Sequence, residues 1–141
     1  MKQGWFKYTY KDRPCFIEFI IYGSRRAMRV GMARHRKNNG FNVSQHQCEI
    51  EEGAHAFCRM WTDKIGCRNI TTSRIFLNTD DYSAGVLAHE CFHAAKRIIT
   101  DLCYGHFREE LCATLIEKAV NDFTEWKDLG FPDEIKEKNG G

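Results

Sequence analysis

The sequence lacks both a long apolar segment and a secretory leader. In 141 residues its longest apolar stretch is a run of a few residues, Phe19 to Tyr22, whereas a membrane-spanning helix needs about 20. The first residues, Met1 to Trp5, do not form the apolar core of a signal peptide. We therefore expect a cytoplasmic protein that does not enter a membrane.

Closely paired cysteines are also absent. The seven cysteines include no Cys-x-x-Cys pair, which disfavours a disulfide scaffold and favours reduced thiols. A structural zinc site built from Cys48, Cys58 and Cys67 is a weak alternative, because their spacing matches no common zinc knuckle or ribbon.

Repeats, low-complexity tracts and internal linkers are missing as well. Hydrophobic residues make up 43% of the chain, with 10 Phe, 5 Tyr and 3 Trp, so a real core can be buried and disorder is excluded. The length fits one domain, which we place at residues 1–135. Residues 136–141, which end in two glycines, are expected to form a frayed tail.

Charge is distributed unevenly along the chain. Residues 1–70 carry 13 Lys and Arg against 6 Asp and Glu, a net +7, whereas residues 71–141 carry 8 against 13, a net −5. Six basic residues lie between Arg25 and Lys37. Such a cluster can bind nucleic acid, but without a recognisable aromatic platform a solvated helix face is favoured. Nucleic acid is therefore a weakly supported partner.

The order of local patterns predicts an α+β fold. Phe16 to Tyr22 and Arg74 to Asn78 are typical of strands, and Ala54 to Trp61 fits a strand or a helix equally. Ser24 can cap a basic helix that ends near Asn38. Two further helices are predicted at about Ser83 to Leu102 and Arg108 to Trp126.

The chemistry is concentrated in an HExxH motif, His89 to His93, in the middle of the second helix. Histidines at i and i+4 share one helix face and can bind one zinc ion, while Glu90 can contact a water on that metal. Zinc lowers the pKa of this water toward ~7, and Glu90 can take its proton during attack on a carbonyl. Because many residues around the motif are apolar, we expect a site that excludes bulk water.

A catalytic zinc needs a third protein ligand, and three candidates follow the motif. His106 lies after the second helix, and Glu109 and Glu110 lie at the start of the third. Helical periodicity favours Glu109, because Glu110 points about 160° from the centre of the apolar face.

The two motifs, His-Glu-x-x-His followed by Glu-x-x-Ala, resemble gluzincin-type metallopeptidases, especially the small ImmA/IrrE-like proteins and short phage-encoded zincin-like proteins. The resemblance covers about residues 74–124. It implies a minimal zincin-like domain with an edge strand at Arg74 to Asn78 and a Zn²⁺ ion held by His89, His93 and Glu110. It also implies hydrolysis of a peptide bond in a protein or peptide substrate, with Glu90 as the base.

Three other interpretations stay open. Gly105 and His106 resemble part of the SprT-like proteases, which implies His106 as third ligand and DNA as a partner. Peptide deformylases use a distant cysteine ligand, for which Cys48 is a poor match because its neighbours differ. The chain can also be a non-enzymatic regulator with a structural metal, although such a site does not require Glu90.

Overall fold

The computed structural model describes residues 1–40, 53–66, 68–132 and 135–137, which form an α+β domain as predicted. The described strands are β1 (Lys2–Tyr10), β2 (Arg13–Tyr22), β3 (Phe57–Ile65), β4 (Arg68–Asn78) and β5 (Ile135–Glu137). The described helices are α1 (Arg25–Asn38), α2 (Ala84–Leu102) and α3 (Glu109–Asp128).

All described strands belong to one mixed sheet with the order β3-β4-β2-β1-β5. β1 and β2 form an antiparallel hairpin closed by Lys11 and Asp12, whose φ angles are 47° and 64°. Two consecutive residues with positive φ angles form the tight turn whose twist matches that of the paired strands. β2 pairs with β4 in parallel, β3 pairs with β4 in antiparallel fashion, and β5 lies parallel to β1.

The structure confirms both predicted strands but corrects one position in the sheet. Phe16 to Tyr22 lies within β2, and Arg74 to Asn78 lies within β4. The expectation that Arg74 to Asn78 is an edge strand is wrong, because β4 lies between β3 and β2. The segment that fitted a strand or a helix, Ala54 to Trp61, contains the first residues of β3, which is the outermost of the described strands on this side.

Two strands had no counterpart in the prediction. β1 buries alternate residues, Gly4, Phe6 and Tyr8, but its lysines and its glycine interrupt the apolar pattern. β5 contains Lys136 and Glu137, the first residues of the predicted tail, and residues 138–141 lie outside the described residues.

Helices cover both faces of the sheet. α2 and α3 pack on one face and share with it a large core, whose fully buried members include Phe19, Ile75, Leu77, Ile98 and Phe123. α1 packs on the other face and closes a smaller core of Ile20, Tyr22, Met28, Met32 and Phe76. In the part of the chain that the structure describes, no helix is long and apolar enough to cross a membrane.

Candidate metal centre

The HExxH motif lies in the second and third turns of α2, where local sequence fixes its orientation. Ser83 caps the helix, because its Oγ accepts a hydrogen bond of 3.1 Å from the backbone N–H of Val86. From there a buried stripe at helical spacing faces the sheet: Leu87, Cys91, Ala94, Ala95, Ile98, Ile99 and Leu102. This stripe turns His89 and His93 away from the sheet.

The two histidines converge on one point. His89 Nε2 and His93 Nε2 are 3.1 Å apart, and the ring centroids are 4.8 Å apart. Burial, the neighbouring His89 and Lys96 all lower the pKa of His93, which favours the neutral imidazole that a metal ion requires.

This geometry matches two of the ligands of a tetrahedral zinc ion. Zinc–nitrogen bonds of 2.0–2.1 Å at tetrahedral angles put two ligand nitrogens about 3.3–3.4 Å apart. The observed 3.1 Å between the Nε2 atoms of His89 and His93 is close to this separation. Imidazole is also a preferred zinc ligand, so the pair fits the metal in both distance and chemistry.

Glu90 is next to the pair but is buried. Its position three residues after Leu87 puts it at the border of the stripe that faces the sheet, and it is only 7% exposed. Burial raises the pKa of its carboxyl, whereas His89 acts in the opposite direction. A carboxylate with a raised pKa takes up a proton more readily than an exposed one, as a general base must.

Glu90 and His89 line a cavity of about 400 Å³ together with His55, Ala56, Gly85 and Val86. His55 was not a candidate in the sequence, because it lies 34 residues before His89 and within a segment, Ala54 to Trp61, whose secondary structure was ambiguous. The fold brings it to the cavity because β3, which begins at Phe57, contacts α2.

A charged turn holds His55 in place. Its Nδ1 lies 3.4 Å from Oδ1 of Asp81, and its carbonyl accepts a hydrogen bond of 2.9 Å from Asn78. Asp81 is bound by both Arg25 and Asn78, and Arg25 contributes most to keeping the pKa of the Asp81 carboxyl well below its usual range. The carboxylate therefore stays charged next to Nδ1 of His55, and no hydrogen bond joins Nε2 to another described residue.

The expectation that the site excludes bulk water is wrong for the histidines. Both rings are exposed, and Phe92 between them is 41% exposed. The physical reason is that the buried apolar neighbours of the motif, including Leu87, Cys91 and Ala94, point toward the sheet and not toward the imidazoles.

The structure places Glu109 and Glu110 in the first turn of α3, where both are exposed. This turn lies alongside the part of α2 that follows the motif, because Lys96 is close enough to Cys112 to lower the pKa of its thiol, against the larger effect of burial. Among the described residues, however, no group of three or more His, Cys, Asp or Glu side chains is placed to hold a metal ion. Neither glutamate is thus assembled with the histidine pair.

His106 lies beyond the end of α2. It lines a different cavity, with Tyr10, Arg13, Leu102 and Arg108 among its neighbours. Leu102 lies nine residue steps after His93, or about 13 Å along the helix, and no described group of three metal ligands includes His106.

Buried thiols next to the cavity do not offer an alternative nucleophile. Burial, with a contribution from Glu90, raises the pKa of Cys91 to about 12, and the same two causes raise the pKa of Cys58. Both thiols are therefore protonated at neutral pH and unreactive. The described cysteines are free, and Cys48 and Cys67, which the weaker zinc interpretations require, lie outside the described residues.

Comparison with protein-family models, with curated proteins and with solved structures gives no match to this chain.

Proposed function

We propose that this protein is a zinc-dependent metallopeptidase that hydrolyses a peptide bond in a protein or peptide substrate. The observation that carries the proposal is the convergence of His89 Nε2 and His93 Nε2, 3.1 Å apart, beside the buried carboxyl of Glu90. In the proposal, His89 and His93 hold the ion, and Glu110, which the structure does not bring to the pair, is assigned as the third ligand from the Glu-x-x-Ala spacing.

Each residue at the cavity has a distinct role in this proposal. When bound, zinc would supply Lewis-acid activation of water and of the substrate carbonyl. Glu90 takes a proton from water at its carboxylate and passes it to the leaving amine. In its protonated form, with Nδ1–H directed at Asp81, His55 can also donate a hydrogen bond from Nε2 to the carbonyl oxygen as negative charge develops there. The exposed face of the histidines lets a polypeptide approach from solvent.

The edge strand β3 provides a place for an extended substrate. Its outer side pairs with no described strand, and Ala56, immediately before it, lines the same cavity as Glu90. An extended peptide can add to such an edge through main-chain hydrogen bonds, which would bring its carbonyl groups past the histidine pair.

The purified protein is expected to bind close to one zinc ion per chain. His89→Ala or His93→Ala should lower zinc affinity by at least about 100-fold, or about 2.8 kcal/mol, because the remaining ligands cannot hold the ion well. Metal analysis and competition with a chromophoric chelator measure both quantities.

His106→Ala is the matched control, because it removes an exposed histidine that lies away from the pair. Circular dichroism checks that each variant is folded. Unchanged metal content in both the His89 and the His93 variants would rule out the proposed zinc site.

Glu110→Ala is expected to weaken zinc binding by at least tenfold, about 1.4 kcal/mol, and by more than Glu109→Ala or His106→Ala. The two glutamates are adjacent and both exposed in the first turn of α3, so Glu109 is a close control for charge and helix stability. Chelator competition ranks the three variants. If His106→Ala is the most damaging, the gluzincin-type ligand set is wrong and the SprT-like alternative gains support.

A further inference from the structure

A large cavity lies on the face of the sheet opposite the histidine pair. It has a volume of about 900 Å³ and is formed between α1 and strands β1, β2 and β4, which is within the usual size range of ligand sites. Three arginines line it, Arg26, Arg34 and Arg74, and none of its described lining residues is Asp or Glu. The cavity therefore has the charge of a site for anions.

Two of these arginines are free to bind a ligand. Arg26 and Arg34 are exposed, and no hydrogen bond or ion pair joins either side chain to another described residue. They lie eight residues apart on α1, which is about 12 Å along a helix axis. No acidic residue occurs within α1, so the helix itself does not neutralise them.

Two other arginines near the cavity are already paired. Arg25 binds Asp81, and Arg74 binds the buried Glu18 through Nε at 2.8 Å and a second nitrogen at 2.7 Å. Gln3 also donates a hydrogen bond to Glu18. Glu18 is thus held by two donors, and it does not cancel the charge of Arg26 and Arg34.

The pKa of His35 indicates a positive electrostatic potential at the base of the cavity. It lines the cavity, and its Nδ1 accepts a hydrogen bond of 2.9 Å from Arg59. Burial, followed by the charges of Arg74 and Arg59, lowers the pKa of this imidazole to about 4. The ring is neutral at pH 7, in surroundings that repel another positive charge.

A glycine keeps the inner wall of the cavity close to the helix. A Cβ at Gly31, in the middle of α1, would collide with the hydroxyl of Tyr22. Glycine inside a helix costs about 1 kcal/mol relative to alanine, so this position indicates that close packing of Tyr22 is needed. Tyr22, with Ile20 and Phe76, gives the cavity a fixed apolar and hydroxyl-bearing wall.

Partly exposed aromatic side chains continue from the cavity along the same face of the sheet. Trp5 is paired in register with Glu18, and Glu18 with Arg74, so these side chains share the face that α1 covers in part. Trp5 stacks on Phe16 with a centroid distance of 4.5 Å and an interplanar angle of 6°. Trp61 lies on the same face, with the guanidinium of Arg74 above its ring at 5.6 Å.

We propose that α1 and this sheet face form a binding site for single-stranded nucleic acid, with backbone phosphates on Arg26 and Arg34 and bases stacked on Trp5. Single-strand sites combine a cationic groove with aromatic platforms, and both are present here on one surface. An acidic peptide would use the arginines but would have no need of the aromatic rings. Because this surface is separated from the histidine pair by the sheet, the proposal is independent of peptidase activity.

The test is fluorescence anisotropy of the full chain with a labelled oligothymidylate longer than one site of ~16 nucleotides, measured over a salt series. We expect Arg26→Ala/Arg34→Ala to weaken binding at least tenfold at low salt. We also expect it to reduce the magnitude of the log–log salt slope by about 1.4, because each phosphate contact to a single strand contributes about 0.7. Trp5→Leu should weaken binding and leave the slope unchanged.

Arg108→Ala is the matched control, since this exposed arginine lies at the start of α3, away from α1. It should change neither affinity nor slope, and circular dichroism checks the fold of each variant. The proposal is overturned by any of four results. These are absence of binding by the natural chain, an equal loss in the control, tighter binding of the matched duplex, and equal competition by polyglutamate, which would indicate an acidic polypeptide partner.

Discussion

Glu90→Gln is expected to abolish hydrolysis by the zinc-loaded protein while leaving its metal content and fold intact. General acid–base catalysis contributes about 10²- to 10⁴-fold to rate, and an amide of the same size cannot accept the proton from water. Glu90 is assigned as the base and not as a ligand, so zinc affinity should change little. Release of fragments from a labelled, unfolded protein substrate, alongside metal analysis, measures the two properties separately.

Glu125→Gln provides a matched control on the exposed surface of α3. It makes the same chemical change away from the motif and should leave the rate within twofold of the natural protein, as expected for a surface substitution. If the zinc-loaded Glu90→Gln variant keeps the full rate, Glu90 is not the base. If the natural protein binds zinc but no substrate is hydrolysed, the metal is structural and the chain is better described as an interaction protein.

The burial of Glu90 favours a catalytic over a purely structural metal site. A carboxylate that is 7% exposed and whose pKa is raised by burial costs folding free energy when it is charged. A structural metal site held by His89 and His93 gains nothing from this cost. A buried glutamate at the wall of an open cavity is therefore more consistent with a role in proton transfer than with a purely structural role.

Local sequence signals predicted the helices well because their causes are local. Ser24 and Ser83 accept hydrogen bonds from the N–H groups of Ala27 and Val86, at 3.1 Å in both cases. The periodic apolar residues of α3, such as Leu115 and Phe123, are buried as predicted. Caps and helical periodicity depend on residues three or four apart, and these can be recognised in a sequence.

The strand order and the surroundings of the motif could not be predicted in the same way. β4 is interior only because β3 returns to pair with it, and that pairing joins residues such as Phe57 and Phe76. His55 reaches the cavity through the same pairing. The apolar residues around the motif were predicted to exclude bulk water from the site, but helix geometry turns them toward the sheet. These features depend on contacts between distant segments, for which no local pattern exists.

Phe123→Ala is expected to destabilise the fold by about 3–5 kcal/mol, the usual cost of removing a buried aromatic ring. Phe123 is fully buried, and its ring contacts those of Phe19 on β2, Tyr82 before α2, and Trp126 on α3. The large-to-small change leaves a cavity in the core that α2 and α3 form with the sheet. Urea unfolding followed by circular dichroism gives the free energy of unfolding in the metal-free protein.

Phe107→Ala is the matched control, because this phenylalanine is 49% exposed just before α3 and its loss should cost less than about 0.5 kcal/mol.

The stability of the Phe123→Ala variant also provides a test of zinc binding at the proposed site. An ion that binds only the folded chain stabilises it by about 2.7 kcal/mol at a free concentration 100 times its Kd. Zinc should therefore raise the unfolding midpoint of Phe123→Ala, provided that His89 and His93 are intact. If zinc stabilises Phe123→Ala and the Phe123→Ala/His93→Ala double variant equally, the ion binds elsewhere on the protein.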